Sequence, residues 1–176
     1  MKIDTPTFIS ETRFISASVA YSSGSQKFGN TLDDTHQFTG SLFISASRID
    51  FNDGKTNLSI GNSAGSSNTT GTKSVFLGHH AGKANTTGEY NVAIGYLALD
   101  ANQAGQRNIA IGPGALGVFN TSGERNNVCI GFDAGAAIQA GTQNVVIGNQ
   151  AHDQNAAGIR NVVIGNGAGG STSSHG

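Results

Sequence analysis

The stretch Asn91-Val92-Ala93-Ile94-Gly95-Tyr96-Leu97-Ala98 contains the unit from which most of this chain is built. The pattern is an apolar residue, Gly, two variable residues and Ala, and it returns on both sides. Its glycines are Gly61, Gly78, Gly95, Gly112, Gly131, Gly148 and Gly165, so the steps are 17, 17, 17, 19, 17 and 17 residues. A fixed period of this length describes one supersecondary unit stacked on copies of itself rather than a domain around one core. Around the glycines, Leu, Glu, Lys and Met are scarce while Gly, Asn, Ser and Thr abound, which suits short strands and tight turns and not helices. The expected fold is an all-β parallel solenoid of about seven 17-residue coils over residues 57–170.

Within each unit the strand is Asn-Val-x-Ile, as in Asn108-Ile109-Ala110-Ile111 and Asn144-Val145-Val146-Ile147. Period-two alternation places the Val and Ile on one face and the middle residue on the other. The expectation is that Val and Ile point into the coil. The middle residues (Ser59, Phe76, Ala93, Ala110, Cys129, Val146, Val163) are mostly small or apolar, so their face should be covered as well. Seventeen residues at about 3.3 Å each make a closed path of about 56 Å, which encloses little more than one row of side chains when flattened. So thin a coil calls for a second partner surface, and three coils around one axis would share a second core. The glycine after Ile should mark a corner with positive φ or a forbidden Cβ. The asparagines Asn57, Asn91, Asn108, Asn127, Asn144 and Asn161, with Ser74 in one coil, should stack as an amide ladder.

The remaining segments differ in chemistry. Residues 1–56 carry 11 of the chain's 21 charged side chains and six of its nine Phe. There Phe14-Ile15-Ser16-Ala17-Ser18 returns as Phe43-Ile44-Ser45-Ala46-Ser47, a strand-like pair with turn residues between. This segment is expected to contribute β-strands that interlock chains or dock on a particle, since it is too poor in apolar residues for its own core. Residues 171–176 read as a flexible tail. The formal net charge is −1, which gives no polybasic footprint for nucleic acid. No run of about 18 apolar residues exists for a membrane helix, and the start Met1–Pro6 lacks the apolar stretch of a secretory signal.

Asn68-Thr69-Thr70-Gly71, Asn85-Thr86-Thr87-Gly88 and Asn91-Val92-Ala93-Ile94-Gly95 resemble two related families. One is the head repeat of trimeric autotransporter adhesins, and the other is the repeat region of bacteriophage tail fibres. The resemblance covers about 57–170 and implies a left-handed parallel β-roll that forms a homotrimer. The upstream stretch Ser23–Ser41 is similar to segments of virion structural proteins of tailed phages. No export signal, coiled-coil stalk or membrane anchor is evident, which favours the virion fibre over the adhesin. The resemblance implies other virion proteins as partners and a host surface glycan or protein as receptor. Location would be a phage particle appendage, with a bacterial cell surface as the alternative.

Motifs that could carry chemistry have simpler readings. Gly112-Pro113-Gly114-Ala115-Leu116-Gly117 matches a dinucleotide fingerprint in letters, but without a βαβ context. Asn68, Asn85 and Asn120 open formal glycosylation sequons, yet they recur at one turn position. His36, His79, His80, His152 and His175 lack metal-ligand spacing, and the trimeric β-helix enzymes that bind zinc between subunits have a six-residue period instead. Cys129 occupies the place of Ala93 and Ala110 and reads as a buried filler. No catalytic residue, cofactor or metal is expected. The 19-residue step is the candidate contact bulge, with Phe119 and Arg125 as the side chains suited to recognition.

Overall fold

The computed structural model describes residues 55–152 and 157–170; the expectations for the N-terminal strand segment and the tail fall on residues 1–54 and 171–176, outside the described residues. Among the described residues nine short strands occur: β1 (Leu58–Ile60), β2 (Val75–Leu77), β3 (Val92–Ile94), β4 (Gly105–Gln106), β5 (Ile109–Ile111), β6 (Gly123–Glu124), β7 (Val128–Ile130), β8 (Val145–Ile147) and β9 (Val162–Ile164). Seven of them, one per repeat, form a single sheet in the order β1-β2-β3-β5-β7-β8-β9, and β4 pairs with β6 in a second ladder. Every pairing is parallel and in phase: Val75 lies beside Val92, Val92 beside Ile109, and Ile109 beside Val128 across the long step. The described residues therefore form a β-solenoid of about six turns and contain no helix. β-Branched residues favour the extended strand, and from the second coil on the backbone N–H of the corner glycine, as at Gly78 or Gly95, donates at 2.8 Å to the carbonyl of the preceding coil's last strand residue.

The interior differs from the expectation in one decisive way. The middle residue of each strand points into the coil: Phe76, Ala93, Ala110, Cys129 and Val146 are fully buried. The flanking Val, Leu and Ile residues are half-buried or exposed and face outward. The reason is width. A three-residue strand sends one side chain one way and two the other, and the narrow coil accepts only the single row. The rest of the core comes from the Ala of Gly-x-x-Ala (Ala81, Ala98, Ala115, Ala134 and Ala151, all buried), from the residue after it, and from Phe119 and Ile138.

That next residue is left-handed in every coil, from Leu116 at φ 50° to Gly169 at φ 70°. It faces the strand residue, and the two share one volume. Phe76 packs against Gly65 and Gly82: a Cβ on Gly65 would sit 2.6 Å from the ring, and one on Gly82 would overlap it more deeply. Where the strand residue shrinks to Ala93 or Ala110, the partner position grows to the fully buried Leu99 or Leu116. Each coil thus fills its space at close packing by a different division of the same volume.

Side-chain amides satisfy most of the polar groups at the corners, although Asn68 Oδ1 is buried without a hydrogen-bond partner. Asn91, Asn108, Asn127 and Asn144 are buried. The Oδ1 of each accepts the backbone N–H of the next Asn at 3.0–3.2 Å and its amide at 3.1–3.3 Å. Ser74 fills the ladder with its hydroxyl, accepting Asn91 N–H at 3.1 Å. A second column closes the opposite corner, where the amides of Asn68, Asn85 and Asn102 donate to the glycine carbonyl three residues on, at 3.0–3.1 Å. At the sharpest corner Gly95 has φ 129°, and a Cβ there would lie 2.7 Å from the carbonyl carbon of Gly112 in the next coil; only glycine fits.

Candidate functional site

The outward side of the sheet is a continuous apolar face. Each of the seven strands presents two branched aliphatic side chains, so fourteen line one flat surface. At about 4.8 Å between coils it runs about 29 Å along the solenoid. Exposure is largest at one end, 71 % for Val162 and 64 % for Ile164. Isolated exposed aliphatic residues are ordinary on a protein surface, whereas an uninterrupted strip of them marks an interaction face.

Two side-chain columns border this face. Before the strand, the left-handed residues Thr56, Lys73, Tyr90, Arg107, Asn126, Gln143 and Arg160 share nearly one backbone conformation, φ 54–60°, so their side chains leave in parallel. Lys73 Nζ donates to the Tyr90 hydroxyl at 2.8 Å and sits 4.8 Å from that ring's centroid, with Arg107 at 5.6 Å. That hydrogen bond, with the nearby phenol, holds the Lys73 ammonium above its ordinary pKa. Arg107 pairs with Glu124 at 3.0 Å, with both side chains about half exposed, and Arg160 Nε donates to Gln143 Oε1 at 2.9 Å. After the strand, His79 stacks on Tyr96 with ring centroids 5.5 Å apart and on His80 at 3.9 Å. Desolvation, with the neighbouring His79 and Lys83 charges, pushes the His80 imidazole below its usual value. Desolvation raises the Asp100 carboxyl beside it.

The 19-residue coil places its two expected contact residues differently. Phe119 is fully buried, which corrects its assignment as a recognition residue. It follows Asn102 by 17 residues and so occupies the interior column that Asn85 and Asn102 fill lower down; a Cβ on Gly105 would sit 2.7 Å from its ring. The extra residues enter after it, because Gly105 pairs with Gly123, a step of 18, and Asn108 with Asn127, a step of 19. The outward crest is Asn120 with Ser122, Gly123 and Glu124; Gly123, at φ 85°, has nothing within 4 Å of a built Cβ. Arg125 is half-buried and stitched in through its backbone, its carbonyl accepting Gln143 N–H at 2.7 Å and the Thr142 hydroxyl at 2.9 Å.

Other motifs resolve as parts of the coil. The repeat glycines Gly61, Gly78, Gly95, Gly112, Gly131, Gly148 and Gly165 all stand at corners with φ 129–136°. Gly112–Gly117 leaves β5 through turns with no helix following. Cys129 is buried, and burial pushes its thiol up to about 12. Asn85 is fully buried, so its sequon cannot be reached in the folded chain. His79 is exposed, whereas His152 is 4 % exposed and lines the interior, which its turn-like sequence context did not signal. Among the described residues no group of three or more His, Cys, Asp or Glu side chains is placed to hold a metal ion, and no helix is long and apolar enough to cross a membrane.

Comparison with known families finds no matching family model, and comparisons with curated proteins and with solved structures find no match.

Proposed function

We propose that this chain is a subunit of a homotrimeric virion fibre of a tailed bacteriophage, with the left-handed solenoid as its rigid shaft. The observation that carries the reading is the outward apolar face. Fully burying a Val, Leu or Ile side chain contributes about 1.5–3 kcal/mol; with exposure uneven along the face but averaging about a third, fourteen give about 7–14 kcal/mol per chain. A gain of that size offsets the freedom lost on association. Three copies turned inward about one axis would cover all three faces at once and leave the polar turns outside.

Nothing in this reading requires chemistry. A stiff trimer presents identical weak contacts three times, so attachment strength comes from simultaneous engagement. Residues 1–56 would join the shaft to other virion proteins, and the receptor would be a host surface glycan or protein. The location is tested by antibodies raised against the purified chain. Immunogold microscopy should label an appendage of tailed particles. Label confined to a bacterial surface would overturn the virion assignment and support a trimeric surface adhesin.

A further inference from the structure

We propose that the column preceding the strand is a binding edge for a linear anionic polysaccharide with widely spaced carboxylate or sulfate groups. The inference uses only the solenoid's geometry, so it stands apart from the virion assignment and gives the shaft a ligand class.

Residues 57–170 contain five cationic side chains, Lys73, Lys83, Arg107, Arg125 and Arg160. Lys73, Arg107 and Arg160 belong to this one column, Arg125 is immediately beside it, and only Lys83 lies elsewhere. Shared left-handed backbone fixes the side chains along a straight line parallel to the solenoid axis. Lys73 and Arg107 are two coils apart, about 10 Å, and Arg107 and Arg160 three coils apart, about 14 Å. Between them stand Tyr90, held between two cations, and the exposed amides of Asn126 and Gln143. Cations separated by amides and one aromatic ring match a chain of hydroxyl-bearing rings with intermittent charge.

The spacing argues against nucleic acid. A DNA strand carries a phosphate about every 3.4 Å, roughly three times denser than these cations. Glu89 and Glu124 would also face the intervening phosphates. A sparse polyanion sets fewer charges against these carboxylates, and at Arg107 it exchanges with the exposed Glu124 for the guanidinium, an exchange of weak contacts.

The test is binding of the full-length purified chain at low salt to hyaluronate, which carries one carboxylate per disaccharide, with neutral dextran as the uncharged control. Hyaluronate should bind with an affinity that falls as salt rises, and dextran should not bind. Lys73→Gln/Arg107→Gln/Arg160→Gln should weaken binding about eightfold, since three exposed charge contacts each contribute a factor of about two. Lys73→Gln alone should give about twofold, and Lys83→Gln no change. Equal binding by the triple variant, a loss caused by Lys83→Gln, tighter binding to single-stranded DNA, or no binding at low salt by protein of unchanged native mass would each overturn the proposal.

Discussion

Exchanging the two halves of one coil's interior tests how the repeats pack. Phe76 and Gly82 share a volume that Ala93 and Leu99 divide the other way one coil later. Gly82→Leu alone forces a branched side chain into the Phe76 ring, and overpacking of this kind costs about 1–3 kcal/mol. The left-handed φ of 57° adds the cost of a non-glycine residue there, about 1 kcal/mol. Phe76→Ala alone empties the coil and costs about 3–5 kcal/mol. Independent effects would make the double variant about 5–9 kcal/mol less stable, enough to unfold an ordinary domain. The shared volume predicts otherwise: Phe76→Ala/Gly82→Leu reproduces the next coil's arrangement and should lose only about 1–3 kcal/mol, a coupling of several kcal/mol between touching sites. Guanidinium unfolding followed by circular dichroism measures all four corners of the cycle. Additive losses would refute the inward placement of the middle strand residue.

Three further outcomes are expected. Asn108→Ala leaves the buried Asn127 N–H without its acceptor and should cost about 2–3 kcal/mol; Asn108→Ser should recover part of this in chemical unfolding, because Ser74 already serves as a ladder rung. The Cys129 thiol, pushed up to about 12 from an ordinary 9.0, is ionised roughly a thousandfold less at pH 8, so the folded chain should resist a thiol-specific disulfide reagent that labels it promptly in denaturant. His80, held neutral by desolvation and by His79 and Lys83, should titrate below an ordinary histidine by NMR. Its folded pKa lies below the unfolded one, so its effect on stability is absent at neutral pH and becomes a loss as pH falls through about 6.5; a titration at or above the ordinary value would contradict this.

The solenoid was legible because a period of 17 residues leaves few alternatives, and the asparagine column was legible because the same amide recurs one step before each strand. Facing was harder. Alternation assigns sides but not which side is inside, and in Val92-Ala93-Ile94 both sides are apolar. The distinguishing signal lay in size. Outward positions stay uniformly branched aliphatic, while the inward ones vary from Ala93 to Phe76 and are compensated by Leu99 or Gly82. Phe119 lies inside because the 19-residue coil bulges only over its later part; a count of 17 from Asn102 places Phe119 before the extra residues begin. The columns of Lys73, Tyr90 and Arg107 and of His79 and Tyr96 could be aligned by eye, but their contacts depend on a left-handed backbone at non-glycine residues, which sequence propensity disfavours.

The central claim is that the outward Val and Ile rows are built to be covered by sister copies. The most direct measurement is the native mass of the purified full-length chain by sedimentation equilibrium, together with Ile111→Asp. A chain of 17.9 kDa should run as a trimer of about 54 kDa, three times that mass, and Ile111→Asp, which puts a charge at the middle of the face, should shift it to the monomer. A stable, fully folded monomer of the unaltered chain at micromolar concentration would contradict the account.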